Sequence, residues 1–144
     1  MTTIERTVST TRPPDAVFPY LVDFRNAVEW DLATVSCERV SGDGGPGTVY
    51  RTVSEFAGTE VELRYTVETV DEPRRFVIVG RNDSTTSHDT ITVSPRPERG
   101  STVVYRAELT FTGVTKLAGP IMRPLLDRLG DRTAEQLKTA LDRL

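Results

Sequence analysis

Cys37 is the chain's one cysteine, so no disulfide can form within it and no cysteine-built zinc site can be assembled. His88 is the one histidine, which closes every metal or triad scheme that needs two. Long apolar runs are missing as well. Nothing approaches the ~20 residues of a membrane span, so no membrane insertion is expected. A basic excess is also missing: 18 Lys and Arg stand against 21 Asp and Glu, for a net charge of −3. Phosphate neutralisation needs a concentrated basic surface, so no nucleic-acid partner is expected. Met1-Thr2-Thr3-Ile4-Glu5-Arg6 lacks the basic start and apolar run of a signal peptide, and a cytoplasmic location is the expectation. Gly42-Asp43-Gly44-Gly45-Pro46-Gly47 is glycine-rich but has no Lys-Ser/Thr and no helix behind it, so it is not a phosphate loop. A hairpin turn and a mobile rim loop both fit it.

What is present suits one globular domain spanning residues 1–144. Apolar residues make up 37% and charged residues 27%, ordinary values for a folded chain. At this length about 68% of the unfolded surface can be buried without staples. Thr2 to Thr10 is rich in Thr, Val and Ile and reads as a strand. Pro13-Pro14 stops it, and Val17, Phe18, Leu21 and Val22 then follow helical spacing, with Pro19 inside the segment. A second short helix is predicted over Asp23 to Trp30, with Asp23 as its N-cap. From residue 33 the period becomes two. Six strands follow: Ala33–Ser41, Thr48–Phe56, Glu60–Val70, Arg75–Asn82, Thr85–Ser94 and Ser101–Phe111, with turns between them at Gly42–Gly47, Ala57-Gly58-Thr59, Asp71–Arg74, Asp83-Ser84 and Pro95–Gly100. The last segment places Ile121, Leu125, Leu126, Leu129, Leu137, Leu141 and Leu144 at helical spacing after Gly119-Pro120, and Pro124 is expected to bend its first turns.

This order, one strand, two short helices, six strands and a long helix, implies an α+β fold with an antiparallel meander. One sheet face is polar, so the apolar face must be covered. Only the C-terminal helix, about 36 Å long, is large enough for that. A helix laid across a strongly curved sheet meets it fully near one end only, and the gap left elsewhere is a natural place for a small-molecule pocket.

The chain resembles the helix-grip superfamily, also called START-like or SRPBCC, and within it the polyketide cyclase/dehydratase-like group. The resemblance rests on Arg12-Pro13-Pro14-Asp15-Ala16-Val17-Phe18 after the first strand, on Asp23-Phe24-Arg25-Asn26 leading to Trp30, and on Gly45-Pro46-Gly47-Thr48. It continues in Glu72-Pro73-Arg74-Arg75-Phe76, Gly100-Ser101-Thr102-Val103-Val104-Tyr105 and Phe111-Thr112-Gly113. It implies a curved seven-stranded antiparallel sheet around a long C-terminal helix. It transfers no catalytic residue, because that superfamily includes lipid, hormone and polyketide binders, cyclases and co-chaperones alike.

Parity gives the inward positions. With Val61, Leu63, Tyr65 and Val67 facing in, Phe76, Ile78 and Gly80 face in beside them. Ser87, Asp89, Ile91 and Val93 then lie opposite Ala107, Tyr105 and Val103. A one-residue bulge would flip part of this. Asp89 is the informative member. A carboxylate on an apolar face must be paired, hydrogen-bonded or protonated. Either Asp89 is a polar anchor in the cavity, with Ser87 or Tyr105, or it reaches solvent at the strand end or pairs with Arg81. The candidate ligand-binding set is Trp30, Tyr50, Leu63, Tyr65, Phe76, Ile78, Asp89, Ile91, Tyr105, Ala107 and Leu125. Asp89, Tyr65 and Tyr105 are the catalytic candidates if chemistry occurs. For each aromatic, plain core packing is the competing account. Trp30 either gates the mouth or anchors the core. His88 reads as a solvent-facing strand residue and Cys37 as a small hydrophobe.

Three functions compete: binding of a small hydrophobic molecule, lipid-like or polyketide-like; a cyclase/dehydratase-type enzyme in the same cavity, where positioning supplies much of the catalysis; and a protein-interaction module. The third needs an exposed apolar patch on the sheet, where the outward residues are mostly charged or Thr. No metal, nucleotide or other cofactor is expected, and the chain is expected to be a monomer or a homodimer.

Overall fold

The computed structural model describes residues 1–56, 58–112 and 119–144, and the side chains of all of these but 119–121. In chain order the elements are β1 (Thr2–Thr10), α1 (Pro14–Val22), a 3-10 turn (Phe24–Asn26), α2 (Ala27–Trp30), β2 (Thr34–Ser41), β3 (Val49–Phe56), β4 (Thr59–Asp71), β5 (Arg75–Arg81), β6 (Thr85–Pro95), β7 (Ser101–Phe111) and α3 (Gly119–Asp142). The expected strands are present within one or two residues. The single helix expected over Asp23–Trp30 is instead a 3-10 turn followed by α2. Asp23 has extended dihedrals and its carboxylate accepts from the Arg25 backbone N–H at 3.2 Å, starting the turn one residue later. Pro19 sits inside α1, where it forfeits the bond to the Asp15 carbonyl. Two sequence expectations fall partly outside the described residues: Ala57 of the β3–β4 turn and Gly113 of the motif after β7.

The strands form one antiparallel sheet in the order β1-β7-β6-β5-β4-β3-β2, and the long α3 completes a helix-grip fold. Register follows the predicted parity through the centre: Tyr65 lies opposite Gly80, Ile78 opposite Asp89, and Asp89 opposite Ala107. A bulge does occur in β4. Val67 pairs with Ile78 and Thr69 with Val77, so Glu68 is the extra residue and the inward side passes from Val67 to Val70. The outer face is not polar throughout. Val77 and Val79 of β5 are buried there, flanked across the strands by Thr66, His88 and Thr90.

One end of the sheet is filled. Val17, Phe18 and Leu21 of α1, Phe24, and Ala27 and Trp30 of α2 belong to one buried cluster with Phe76, Ile78, Ile91, Val93 and Val103 of the sheet and Leu137 and Leu141 of α3. Phe24 is its wedge, with ring centroids 4.9 Å from Tyr65, 5.9 Å from Tyr50 and 6.4 Å from Phe76. The helix α3 crosses β1 at Gly130, where a Cβ would lie 2.7 Å from Ile4 Cγ2. Arg6 clamps the crossing, donating from Nε to Asp131 at 2.8 Å and from Nη2 to the Asp127 carbonyl at 3.0 Å. The end of α3 is tied down where Thr10 donates to Asp142 at 2.7 Å and Lys138 to the Ser9 carbonyl at 2.9 Å.

Candidate functional site

Away from the short helices the inward residues become small, and small residues leave space. Ala33, Ala107 and Ala134 face the same region as Gly130, where Leu or Phe side chains would otherwise meet. A pocket of about 190 Å³ lies there, between the sheet and the Met122–Leu137 stretch of α3. Its apolar wall is built by Phe56 and Val61 at one end of the sheet, Leu109 and Phe111 from β7, and Met122, Leu126 and Leu129 from α3.

The polar groups gather deeper, near the packed half. Asp89 is 2% exposed and accepts from the Ser87 hydroxyl at 2.6 Å and the Tyr105 hydroxyl at 3.4 Å. Burial pushes its carboxyl up to about 7, assisted by the nearby Asp31 carboxylate and opposed by the hydroxyl donors. Burial first, and the Asp89 charge second, hold the Tyr65 and Tyr105 phenols well above their ordinary value, so both stay protonated at neutral pH. Ser87, Tyr65 and Tyr105 line the pocket, and Asp89 stands behind them. Tyr65 owes its position to Gly80: a Cβ there would lie 2.6–2.7 Å from three atoms of the phenol ring, so only a glycine lets the ring lie on β5. Asp31 also lines the pocket, at the end of α2. It accepts from the Ala33 backbone N–H at 3.1 Å and the Thr34 hydroxyl at 3.0 Å, and burial raises its pKa.

Of the residues expected to bind ligand, Leu63, Tyr65, Tyr105 and Ala107 line the pocket, and Asp89 is hydrogen-bonded to its wall. Trp30 of α2 and Tyr50, Phe76, Ile78 and Ile91 of the sheet do not line this pocket; they lie in the packed cluster, to which Leu63 and Tyr65 also belong. Trp30 meets Tyr105 edge-on at 5.5 Å and is 1% exposed, so it is an anchor rather than a gate; its indole N–H has no partner among the described residues. Leu125 is 42% exposed, and its neighbour Leu126 faces the pocket instead. One residue is about 100° of helix rotation, and adjacent leucines leave that rotation open in the sequence. His88 is half-buried on the outer face rather than fully solvated. Cys37 packs against the core, and burial pushes its thiol up to about 11. Sequence reasoning missed Asp31 and Arg6. The signal for Asp31 was local: an Asp two residues before a backbone N–H it can cap, directly after a helix.

Among the described residues no three His, Cys, Asp or Glu side chains are grouped to hold a metal, and no helix is long and apolar enough to cross a membrane. A family model described as polyketide cyclase / dehydrase and lipid transport matches residues 1–142. No curated protein sequence matches the chain. Solved structures share its fold. The ZhuI aromatase/cyclase from a Streptomyces species superposes with a TM-score of 0.79 at 14% identity, covering 99% of this chain and 94% of that one. A START superfamily protein from Mycobacterium smegmatis gives 0.74 at 16% identity, over 98% and 94% of the two chains. The protein TTHA0849 from Thermus thermophilus gives 0.72 at 20% identity, over 96% and 99%.

Proposed function

The chain belongs to the polyketide cyclase/dehydrase and lipid transport family, and on that premise we propose that its pocket binds a small, largely apolar organic molecule. The observation that carries this reading is a mainly apolar space of about 190 Å³ whose polar groups are concentrated in one cluster of hydroxyls and carboxyls, with the Ser54, Thr85 and Thr133 hydroxyls as isolated polar points on the rest of the wall. That division suits a ligand with a hydrophobic body and one polar edge. An apolar cavity of ~150 Å³ accommodates benzene, so this one matches a substituted ring, two fused rings or a short acyl chain. The apolar body would rest on Phe56, Leu109 and Leu126, and the polar edge would meet Tyr65, Ser87 and Tyr105.

A second reading, cyclase/dehydratase-type catalysis in the same pocket, draws on Asp89, a carboxyl that titrates near neutrality beside Tyr105. Against it stands the position of Asp89 behind the wall. A proton would have to pass through Ser87 or Tyr105 to reach a ligand, and among the described residues no histidine or lysine base faces the space. Binding is therefore the better supported of the two.

A panel of one- to three-ring aromatic and short acyl compounds, read by thermal shift and calorimetry, tests the first reading. A ligand present at 100 times its Kd should add about 2.7 kcal/mol, or roughly 5 °C or more in Tm. Ala107→Phe, which fills the pocket from β7, should abolish that shift while the variant stays folded. A panel without a single binder would refute the proposal. Turnover of an aromatic polyketide mimic, lost in Tyr105→Phe and Asp89→Asn, would promote the second reading over the first.

A further inference from the structure

The hydroxyls at the deep end of the pocket point their hydrogens away from it. Ser87 and Tyr105 both donate to Asp89, at 2.6 and 3.4 Å, and Tyr65 lines the pocket with them. A hydroxyl has one hydrogen and two lone pairs. Once the hydrogen is given to Asp89, only lone pairs of these two hydroxyls remain to face the pocket; the Ser54, Thr85 and Thr133 hydroxyls of the wall lie outside this cluster. Asp31 adds a carboxylate to the wall, and its partners, the Ala33 N–H and the Thr34 hydroxyl, leave lone pairs over. Among the described residues the one cation of the wall is Arg6, and its charge is paired with Asp131 and Asp127. Its Nε donates to Asp131, Nη1 to the Glu5 carbonyl at 2.8 Å and Nη2 to the Asp127 carbonyl.

We propose that this site selects ligands whose polar edge carries a hydrogen-bond donor, a phenol or an ammonium group, and rejects carboxylates and phosphates. The selectivity rests on the binding reading above and deepens it. An acceptor-only ligand brings its lone pairs against those of Tyr105, Ser87 and Asp31. An anion also meets Asp31 and Asp89, while Arg6, the wall's one described cation, is already paired with Asp127 and Asp131. A site built for a donor discriminates strongly against the analogue that lacks it, because its own polar atoms are left unpaired.

Four probes of one shape test this on the wild-type protein at pH 8, above the value at which Asp89 ionises: naphthalene, 2-naphthol, 2-methoxynaphthalene and 2-naphthoate. The expected result is that 2-naphthol binds roughly tenfold or more tightly than the methoxy and carboxylate analogues. In Asp89→Asn the carboxylate no longer claims the hydroxyl hydrogens, so the advantage of 2-naphthol over 2-methoxynaphthalene should shrink to about threefold. In Asp31→Asn the penalty on 2-naphthoate should fall. Naphthalene binding alongside equal affinities for 2-naphthol, 2-methoxynaphthalene and 2-naphthoate would overturn the selectivity and leave the pocket reading standing. If none of the four binds, naphthalene included, the selectivity proposal falls, and the pocket reading falls with it when the one- to three-ring and acyl panel is also without a binder.

Discussion

Asp89 shows how much one buried carboxyl can make folding depend on pH. Its ordinary value is 3.8 and burial raises it to about 7. Below 3.8 it is neutral in the folded and unfolded chain alike. As pH rises from there, the unfolded chain releases the proton while the folded chain keeps it. The stability gained from holding that proton is therefore complete at low pH and is lost as pH climbs to about 7. At about 1.4 kcal/mol per unit, the loss between pH 4.5 and 8.5 is on the order of 3 kcal/mol. Asp89→Asn cannot titrate, so urea unfolding should show a pH dependence weaker than wild type by that amount over the same interval. Asp23, Glu62 and Asp142, whose values are lowered, act at lower pH and are common to both proteins. Parallel stability–pH curves for the two would dismiss the buried, titrating carboxyl. Strand parity made Asp89 legible in the sequence. Asp31 was not, because its approach to the pocket depends on how α2 ends, which no periodicity records.

The contact between α3 and β1 turns on Gly130, whose missing side chain lets Ile4 and Arg6 approach the helix. Two effects compete on substitution. Alanine gains about 1 kcal/mol of helix propensity over glycine, while its Cβ meets the end of the Ile4 side chain, which can move. Gly130→Ala should therefore fall within about 1 kcal/mol of wild type. Gly130→Val adds two more carbons at the same spot and is β-branched within a helix, so it should cost about 2 kcal/mol, as overpacking does. Urea melts of both variants measure this, and a valine variant as stable as the alanine one would mean the crossing is loose. The elements themselves were read from the sequence almost completely, since each has a clear period. The rotation of α3 was not: the leucines at helical spacing include the exposed Leu125 and Leu144. The β4 bulge was hidden too, because Glu68 continues the alternation that precedes it.

At the scale of the whole molecule the interior has two unlike halves, one plugged by α1, the 3-10 turn and α2, the other open beneath the start of α3. Sequence patterning says which residues face inward and cannot say which inward space another element has filled. That is why Phe76 and Ile78, read as pocket residues, are packed, while Ala107 lines the opening. One strand allows a direct comparison. Val103 and Ala107 both point inward from β7; Val103 has no exposed surface and sits in the packed cluster, whereas Ala107 borders the pocket. Val103→Leu adds one methylene where there is no room, and should cost about 1–3 kcal/mol. Ala107→Leu adds three carbons where room exists. Each buried methylene is worth about 0.8 kcal/mol, so that variant should be at least as stable as wild type by urea unfolding. Equal penalties at the two positions would mean that the open half closes on itself in solution. A larger penalty at Val103 alone would establish that the protein keeps an unfilled interior while its other half stays tightly packed.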